Sequence, residues 1–372
     1  MCNYYLTIKN IIIFILCVLF SSGCMEKEKK PAENVLTFRK ENAILLNNSD
    51  FFKNRKIISL EVKKYDNDYS LINKMPCIKK DGENIFIYSR DIAYPILRFD
   101  MNGNFKNKIG NIGNGPNEFV NVKDVTINRE KSTVEILADY RIICFSFDGA
   151  PIEVKKYDFD GNGASSFTYV DNEYWLYTGN NTAFSTYRLY QTDQNFNIIQ
   201  RHLSDKSNML PLNEANFKQS PYNTFRETFY HNMYAIQNNS LALLHTVKFP
   251  GMEFPSEIHK LPPLEVIQSL RNSHYASILC YLENDNFIYM FVVEYDPDVT
   301  ETIYHWTINK NNNQERIIKT NGIDGSYLTS PQLLTDDNFL YFLGYPIENE
   351  NDDINPEENP SVVIINLSEN FK

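Results

Sequence analysis

From Lys56 onward, short apolar runs rich in β-branched and aromatic residues alternate with polar stretches. Typical runs are IISLEV (57–62), NIFIYS (84–89), PILRFD (95–100), TVEILAD (133–139), EYWLYT (173–178), FIYMFVVEY (287–295), FLYFLGY (339–345) and SVVIINL (361–367). The intervening stretches carry Asn, Asp and Gly, as in DMNGN (100–104), FDGAP (147–151), DQN (193–195), NKNNN (309–313) and TDDN (335–338). Those residues tolerate the left-handed backbone that tight hairpins require, so the pattern predicts antiparallel strands joined by short turns. A helical period is confined to LPPLEVIQSLRN (261–272), where Leu264, Ile267 and Leu270 recur and Pro262 and Pro263 open the segment. It predicts one short helix inserted in a loop.

The turns repeat at a fixed interval. Gly103 and Gly149 lie 46 residues apart, and Asn195 lies a further 46 along. A period in the forties with about four strands per unit is the signature of propeller blades. Residues 57–372 hold six to seven such periods, and the stretches 204–235 and 345–360 read as insertions. The expected fold is therefore all-β, a six-bladed β-propeller over residues 56–372. The strand near 57–62 is expected to pair with 361–367 and close the ring. A closed ring leaves no sheet edge to be covered by a second copy, so a monomer is expected.

The N-terminus carries an address. Lys9 precedes a short apolar run, Ile11 to Phe20, followed by Ser21, Ser22, Gly23 and Cys24. This is the order of a secretory signal with a cleavage site, and the run is too short to span a bilayer. A cysteine directly after the small residues is where lipidation occurs. Residues 1–23 are thus expected to be a lipoprotein signal peptide and Cys24 the acylated first residue of the mature chain, which would bind the membrane through its lipid. Ser21 stands where such signals usually have Leu. An ordinary secretory signal is the alternative. Residues 24–55 begin with MEKEKKPAEN and read as a polar tether, with a short ordered piece near Ala43–Leu46.

Charge and cysteine usage narrow the partners. With 36 basic and 47 acidic residues the net charge is -11, and loss of Lys9 with the signal leaves -12. That argues against nucleic acid and against electrostatic docking on anionic lipid. After Cys24, the remaining cysteines are Cys77, Cys144 and Cys280. Their number is odd and no CxxC pair occurs, so neither a disulfide framework nor a thiolate metal site is expected.

A family resemblance enters at Ile109-Gly110-Asn111-Ile112-Gly113-Asn114-Gly115-Pro116-Asn117-Glu118-Phe119. This segment resembles the G-x-x-G-x-G-P-G-E-[YF] signature of the six-bladed β-propeller lipoproteins of Bacteroidota, a family loosely similar to NHL-type propellers. The signature residues here are Gly110, Gly113, Gly115, Pro116, Glu118 and Phe119, with Asn117 where the family usually has Gly. Upstream, Phe99, Asp100, Gly103 and Phe105 match its "FD-x-x-G-x-F" strand end, and Leu60-Glu61 its lead-in. Near the C-terminus, Asn359-Pro360 before a β-branched strand matches its closing segment. The resemblance implies the fold and an outer-membrane or cell-surface address, and no catalytic residues. Physically, three glycines and a proline suit a tight connection between blades. A phosphate cradle would need a helix immediately after it, whereas Pro116 and a β-rich stretch follow.

Other clusters are weaker. Asp158, Asp160, Asn162 and Gly163 have the spacing of a calcium loop, but the twelfth position is Tyr169 rather than Glu. The acidic run 345–360 reads as a solvated loop. Six histidines are scattered without an HExxH pair. Arg226, Glu227, Tyr230 and His231 would alternate between the faces of a strand, and if it is the innermost of its blade one set would approach the central channel, with Arg226, Tyr230 and His231 as the candidates. Trp175 and Trp306 sit in apolar runs and suit packing better than a sugar platform. The expected function is a binding or scaffold module of the cell envelope for a protein, peptide or glycan. The alternative is a hydrolase or lyase working at the channel.

Overall fold

Alternating side chains give each strand two faces, and here both faces of most sheets are apolar. The strands therefore have to stack sheet on sheet around an axis. In the computed structural model, the described residues are 34–371 except 47–48, 66–67, 73–75, 91–92, 160, 162, 180–186, 205–214, 256, 297–298, 322–329 and 345–357. Cys24 and most of the acidic run 345–360 lie outside them. Five blades follow the chain from inner to outer strand. The first is Pro76–Asp81, Asn84–Ser89, Ile96–Asp100 and Phe105–Ile109; the second is Asp124–Asn128, Thr133–Ala138, Arg141–Ser146 and Pro151–Lys156. The third is Ser166–Val170, Glu173–Tyr177, Leu189–Thr192 and Ile198–His202. The fourth is Phe217–Lys218, Thr224–Arg226, Asn232–Gln237 and Ser240–Lys248; the fifth is Tyr275–Glu283, Phe287–Asp296, Val299–Asn309 and Gln314–Asn321.

The sixth blade is composite. Leu333–Leu334, Phe339–Gly344 and Ser361–Asn366 come from the C-terminus, and the outer strand Lys56–Ser59 comes from the N-terminal side. Ile57 lies opposite Val363 and Ile58 opposite Val362 in an antiparallel register. The predicted closure thus forms, over Lys56–Ser59.

Six apolar clusters fill the six seams between neighbouring blades. Ile136, Val125 and Phe145 meet Phe86 and Ile96 between the second and first blades, for example. Ile58, Val362 and Leu343 meet Ile85, Leu97 and Phe99 across the closing seam. Trp175 and Trp306 are fully buried in such seams, as packing residues. Cys144 and Cys280 are buried too, and all three described cysteines are free thiols. Burial pushes the Cys144 thiol up to about 12, so it behaves as a small hydrophobe.

The period marks one repeated turn, which opens at Asp100, Ser146 and Asp193, at intervals of 46 and 47 residues; Asn195 therefore corresponds to Asn102, and Phe196, at φ +62°, to Gly103 and Gly149. Asp100 accepts hydrogen bonds from the backbone N–H groups of Asn102 (2.9 Å) and Asn104 (3.0 Å). Asp193 does the same for Asn195 (2.8 Å) and Asn197 (2.9 Å). Each turn rests on the outer strand of the preceding blade. Gly103 has φ +84°, and a Cβ there would lie 2.0 Å from the Ser59 carbonyl oxygen; at Gly149, φ +87°, it would lie 2.7 Å from that of Lys108. The residues of the family resemblance converge on the closure. Glu61 accepts from the N–H of Phe105 (2.8 Å), and Asn359 donates to the carbonyls of Glu61 (3.1 Å) and Ser70 (2.7 Å).

The tether expected over residues 24–55 does not extend that far. Val35–Thr37 adds a fifth, parallel strand outside the fourth blade, pairing with Thr246–Lys248. Ile44–Leu45 then pairs in parallel with Ile318–Lys319 of the fifth blade, before Lys56–Ser59 enters the sixth. This belt is anchored by Phe38 and Phe51, each 1% exposed, and by Lys40, whose ammonium lies 2.7 Å from Glu294. It is mostly polar because main-chain bonds to the sheet edges hold it, and few side chains need to be buried.

The predicted helix forms over Pro263–Arg271 with Pro263 in its first turn. Val266 is buried and Leu270 packs against the same cluster, while Leu264 is 75% exposed, so of the three spaced residues Leu264 lies off the packed face.

Two outcomes follow for stability. Gly103→Ala is expected to destabilise by about 2 kcal/mol or more, because both its φ and the Ser59 carbonyl oppose a Cβ. Gly82→Ala, at φ +50° with open space around it, should cost less; urea denaturation of the two variants would contradict this if the costs were equal. His305 is buried among Phe51, Phe52, Phe291 and Phe342, with its Nδ1 2.6 Å from the Tyr289 hydroxyl. Burial pushes its pKa down from 6.5 to about 3, so the native ring is neutral. Above pH 6.5 its contribution is complete. Between 6.5 and 3 the unfolded chain takes up the proton that the native state excludes, and stability falls by roughly 1 kcal/mol per pH unit. His305→Gln should flatten that slope in denaturant midpoints measured across this range.

Candidate binding site at the channel mouth

Among the described residues, one crosses the axis. Gln219, directly after the inner strand of the fourth blade, pairs in parallel with Leu333 of the sixth, and its carbonyl accepts from the N–H of Leu334 (3.1 Å). Its side-chain amide pairs with the main chain of Lys80 in the first blade. The N–H of Lys80 donates to Oε1 (2.9 Å) and Nε2 donates to the Lys80 carbonyl (2.5 Å). The fourth blade's inner strand is only two residues long, which lets the chain leave its sheet and reach across.

Two basins flank this crossing and share Arg129, Gln219, Ser220 and Asn223. One, of about 620 Å³, is walled by the first, fourth and sixth blades, with Asp336 and Asp337 on its lining. The other, of about 200 Å³, is walled by the first four blades and includes Lys79, Thr126, Thr168, Lys218 and Asn223. Lys79 is 8% exposed. Alternation turns Cys77 and Lys79 toward the second blade, since Cys77 joins that seam and Ile78 the opposite one. Burial lowers the Lys79 pKa; the field of Asp124 opposes this and that of Lys218 adds to it. Arg129 is paired with Asp81 (3.2 Å) at the rim.

Beneath the basin and along the seams, buried carboxylates are held by tyrosines. Tyr88 donates to Asp124 (3.0 Å), Tyr174 to Glu135 (2.7 Å), Tyr177 to Glu227 (3.0 Å), Tyr281 to Glu283, and Tyr304 to Glu294 (2.5 Å). The first three of these bonds join neighbouring blades. Burial, reinforced by the nearby carboxylate, raises the pKa of Tyr88, Tyr177 and Tyr281 well above the usual value, which keeps them donors. Asp124 also accepts from Ser166 Oγ (2.5 Å) and from the N–H groups of Val125 (2.9 Å) and Phe167 (3.1 Å). Glu283 is further bonded by His245 Nε2 (3.0 Å) and Lys310 (2.7 Å). Burial alone would raise the Glu283 pKa, but these bonds outweigh it and hold the pKa down. His245 and His305 therefore serve the seams.

The residues singled out from sequence are placed as follows. Gly110, at φ +78°, lies so close to Phe119 that a Cβ would come within 2.4 Å of the ring. Asn111–Ile112 and Glu118–Phe119 form a small parallel pair. The Glu118 carboxylate accepts from the N–H of Gly115 (2.8 Å) and leaves no room for a Cβ at Gly113 or Gly115. Arg141 donates to the carbonyls of Glu118 (2.8 Å) and Pro116 (3.4 Å), which ties this loop to the second blade. Asp158 accepts from the N–H of Gly161 (2.9 Å); Asp160 and Asn162 lie outside the described residues.

The channel-facing set does not assemble. The strand ends at Arg226, a turn with Phe229 at φ +64° follows, and a new strand starts at Asn232, so alternation does not carry through. Arg226 is buried and donates to the Leu279 carbonyl of the fifth blade. Tyr230 lies under the Arg188 guanidinium (5.1 Å), and His231 packs on Phe249 (5.2 Å). None of the three lines either basin. The neighbouring Glu227, by contrast, makes a two-pronged ion pair with Arg188, at 2.6 and 3.0 Å, both residues being 2% exposed. The basin residues Lys79, Lys218 and Gln219 were missed. The only sequence signal was a pair of lysines, Lys79 and Lys80, inside an otherwise strand-like run.

The ring of six four-stranded sheets, closed by an N-terminal strand, makes the protein a six-bladed β-propeller. Residues 34–366 match the family described as "Domain of unknown function (DUF4934)", and the chain belongs to that family. No curated protein matches it. Among solved structures it is similar to a Bacteroides fragilis protein provisionally described as exported, at TM-score 0.68 and 14% identity, over 89% of this chain and 99% of that one. The WD40 repeats of RRP9 align at TM-score 0.43 and 10% identity, over 84% and 99%. A protein of unknown function from Bacteroides caccae aligns at 0.35 and 6%, over 72% and 85%.

The Arg188–Glu227 pair gives a direct test of how the third and fourth blades are held. Glu227→Gln leaves a buried guanidinium short of its counter-charge and should destabilise by about 3–5 kcal/mol. Adding Arg188→Met should recover part of that loss. Denaturant midpoints of the two single variants and the double variant measure the coupling, and additive losses would contradict it.

Proposed function

We propose that this chain is a lipid-anchored binding module of the cell envelope, which offers the channel mouth of its propeller to a protein, peptide or glycan partner. The observation that carries the reading is the mouth itself. Gln219 floors the axis and leaves two polar basins open beside it, while the seams hold His245, His305 and both tryptophans. The likeness in fold to a Bacteroides protein described as exported supports an envelope address. The signal-like residues 1–23 and Cys24 support attachment by lipid, and the family resemblance favours the outer membrane. Residues 25–33 would link the anchor to the belt that starts at Val35.

The address is tested by Cys24→Ala in the full chain. The variant should lose incorporation of labelled palmitate and move from the membrane pellet to the soluble fraction; retention in the pellet with label intact would contradict lipidation at this residue. The binding role is tested by cross-linking the full chain in cells and purifying it from envelope extract. A stoichiometric partner is expected, and turnover of a glycan or peptide by the purified protein would instead favour an enzyme at the channel.

A further inference from the structure

The buried charges of this propeller are met by hydroxyl, carboxylate or backbone partners, Arg90 and Arg226 by the carbonyls of Ser165 and Leu279, and Lys79 departs from them. Asp124, Glu135, Glu227, Glu283 and Glu294 are each met by a tyrosine hydroxyl. Arg188 is met by Glu227. Lys79 is 92% buried, yet among the described residues no hydrogen bond or ion pair reaches its ammonium. The Asp124 carboxylate nearby is taken up by Tyr88, Ser166 and two backbone N–H groups.

Lys79 does not face apolar packing. It lines the basin of about 200 Å³ on the channel mouth, and the half-buried Lys218, from the inner strand of the fourth blade, lines the same basin. No described group pairs with Lys218 either. Two cations confined in one concave site repel each other, which raises the cost of keeping both charged without a counter-ion. Neutral hydrogen-bonding side chains, Thr126 and Asn223, stand beside them. Glu130 and Asp171 belong to the same lining but are exposed at its rim. Arg129, paired with Asp81, lines the opening too, so the rim carries both signs while ammonium groups stand at depth. Such an arrangement suits a ligand with one anionic tip on a neutral, hydroxyl-bearing body.

We propose that this basin is an oxyanion subsite, in which Lys79 and Lys218 grip the carboxylate or phosphate group of a ligand entering from the channel mouth. The inference rests on the binding-module reading and narrows it to ligands with an anionic end. Charge-assisted hydrogen bonds from two ammonium groups would supply the grip, and the surrounding hydroxyl and amide groups would orient the rest.

The test uses the full chain purified in detergent and two probes, sodium phosphate and sodium acetate, with ionic strength held constant by chloride. Thermal unfolding midpoints should rise in a saturable way with one or both probes, as expected for a ligand that binds only the folded state. Which probe acts separates a phosphate tip from a carboxylate tip. Lys79→Met should weaken the response about tenfold or more, the loss expected for a charge-assisted hydrogen bond, and Lys218→Met should also weaken it. Without probe, Lys79→Met should unfold at the same or a higher temperature, since it removes a largely desolvated cation that Lys218 repels. A structural lysine would give the opposite result. If that variant fails to fold, the wild type still decides: the bound probe should protect Lys79 and Lys218 from reductive methylation read by mass spectrometry. No saturable shift with either probe, or a shift and protection pattern indifferent to Lys79, overturns the subsite. If a partner cross-links equally to wild type and Lys79→Met, the binding role stands and the subsite alone fails.

Discussion

The structure depends on the strand Lys56–Ser59 lying against Ser361–Ile364. No single sheet here can hide both of its faces, so each blade is stable only while it has a neighbour on either side. A ring gives every blade two neighbours, but only if its ends meet. The chain makes the ends meet by building the sixth blade from both termini, across a separation of some three hundred residues. The entropy of closing so long a loop grows only with the logarithm of its length, while the closing seam buries a full apolar cluster, with Ile58, Val362 and Leu343 against Ile85, Leu97 and Phe99. Closure also removes the free edges that would pair with other chains.

The belt extends the same logic to the outer edges. Outer strands of the fourth and fifth blades would present unpaired N–H and C=O groups, and Val35–Thr37 and Ile44–Leu45 satisfy part of them by parallel addition. Phe38 reaches the seam between the fourth and fifth blades, and Phe51 the seam between the fifth and sixth. The belt therefore links the outer ends of three consecutive blades just before the chain enters the closing strand. His305, held neutral between Phe51 and Phe52, makes this junction sensitive to acid even though it lies far from the channel.

The fold was legible wherever one residue's chemistry decides the local backbone. Asn, Asp and Gly in the outer turns are required by positive φ and by carboxylate caps, so their period could be counted directly. Glu61, Asp100, Gly103 and Asn359 stood out in a family pattern, and the structure shows why: all four act at the closing seam. The belt was less legible because main-chain bonds hold it and only Phe38 and Phe51 are strongly buried. Reading Arg226, Tyr230 and His231 as one strand face failed for a local reason, a turn at Thr228–Phe229 that resets the alternation. Gln219 and Lys79 were illegible for a global one. Their environment is created by inner strands from several blades, and no window of sequence contains it.

The polar interior also constrains where a ligand site is able to form. A propeller seam tolerates a carboxylate only when the next blade supplies a donor, and tyrosine is suited to this, because its ring fills apolar space while its hydroxyl reaches the acid. Three such bonds cross seams directly, and Glu283 and Glu294 are tied instead to His245 of the fourth blade and Lys40 of the belt. These carboxylates are engaged in holding blades in register. What remains is the axis, where inner strands end, side chains from different blades converge, and no further sheet arrives to satisfy them. The indoles of Trp175 and Trp306 and the Thr307 hydroxyl also lack partners among the described residues, but they are enclosed by the packing of the blades, whereas the two lysines line an open basin.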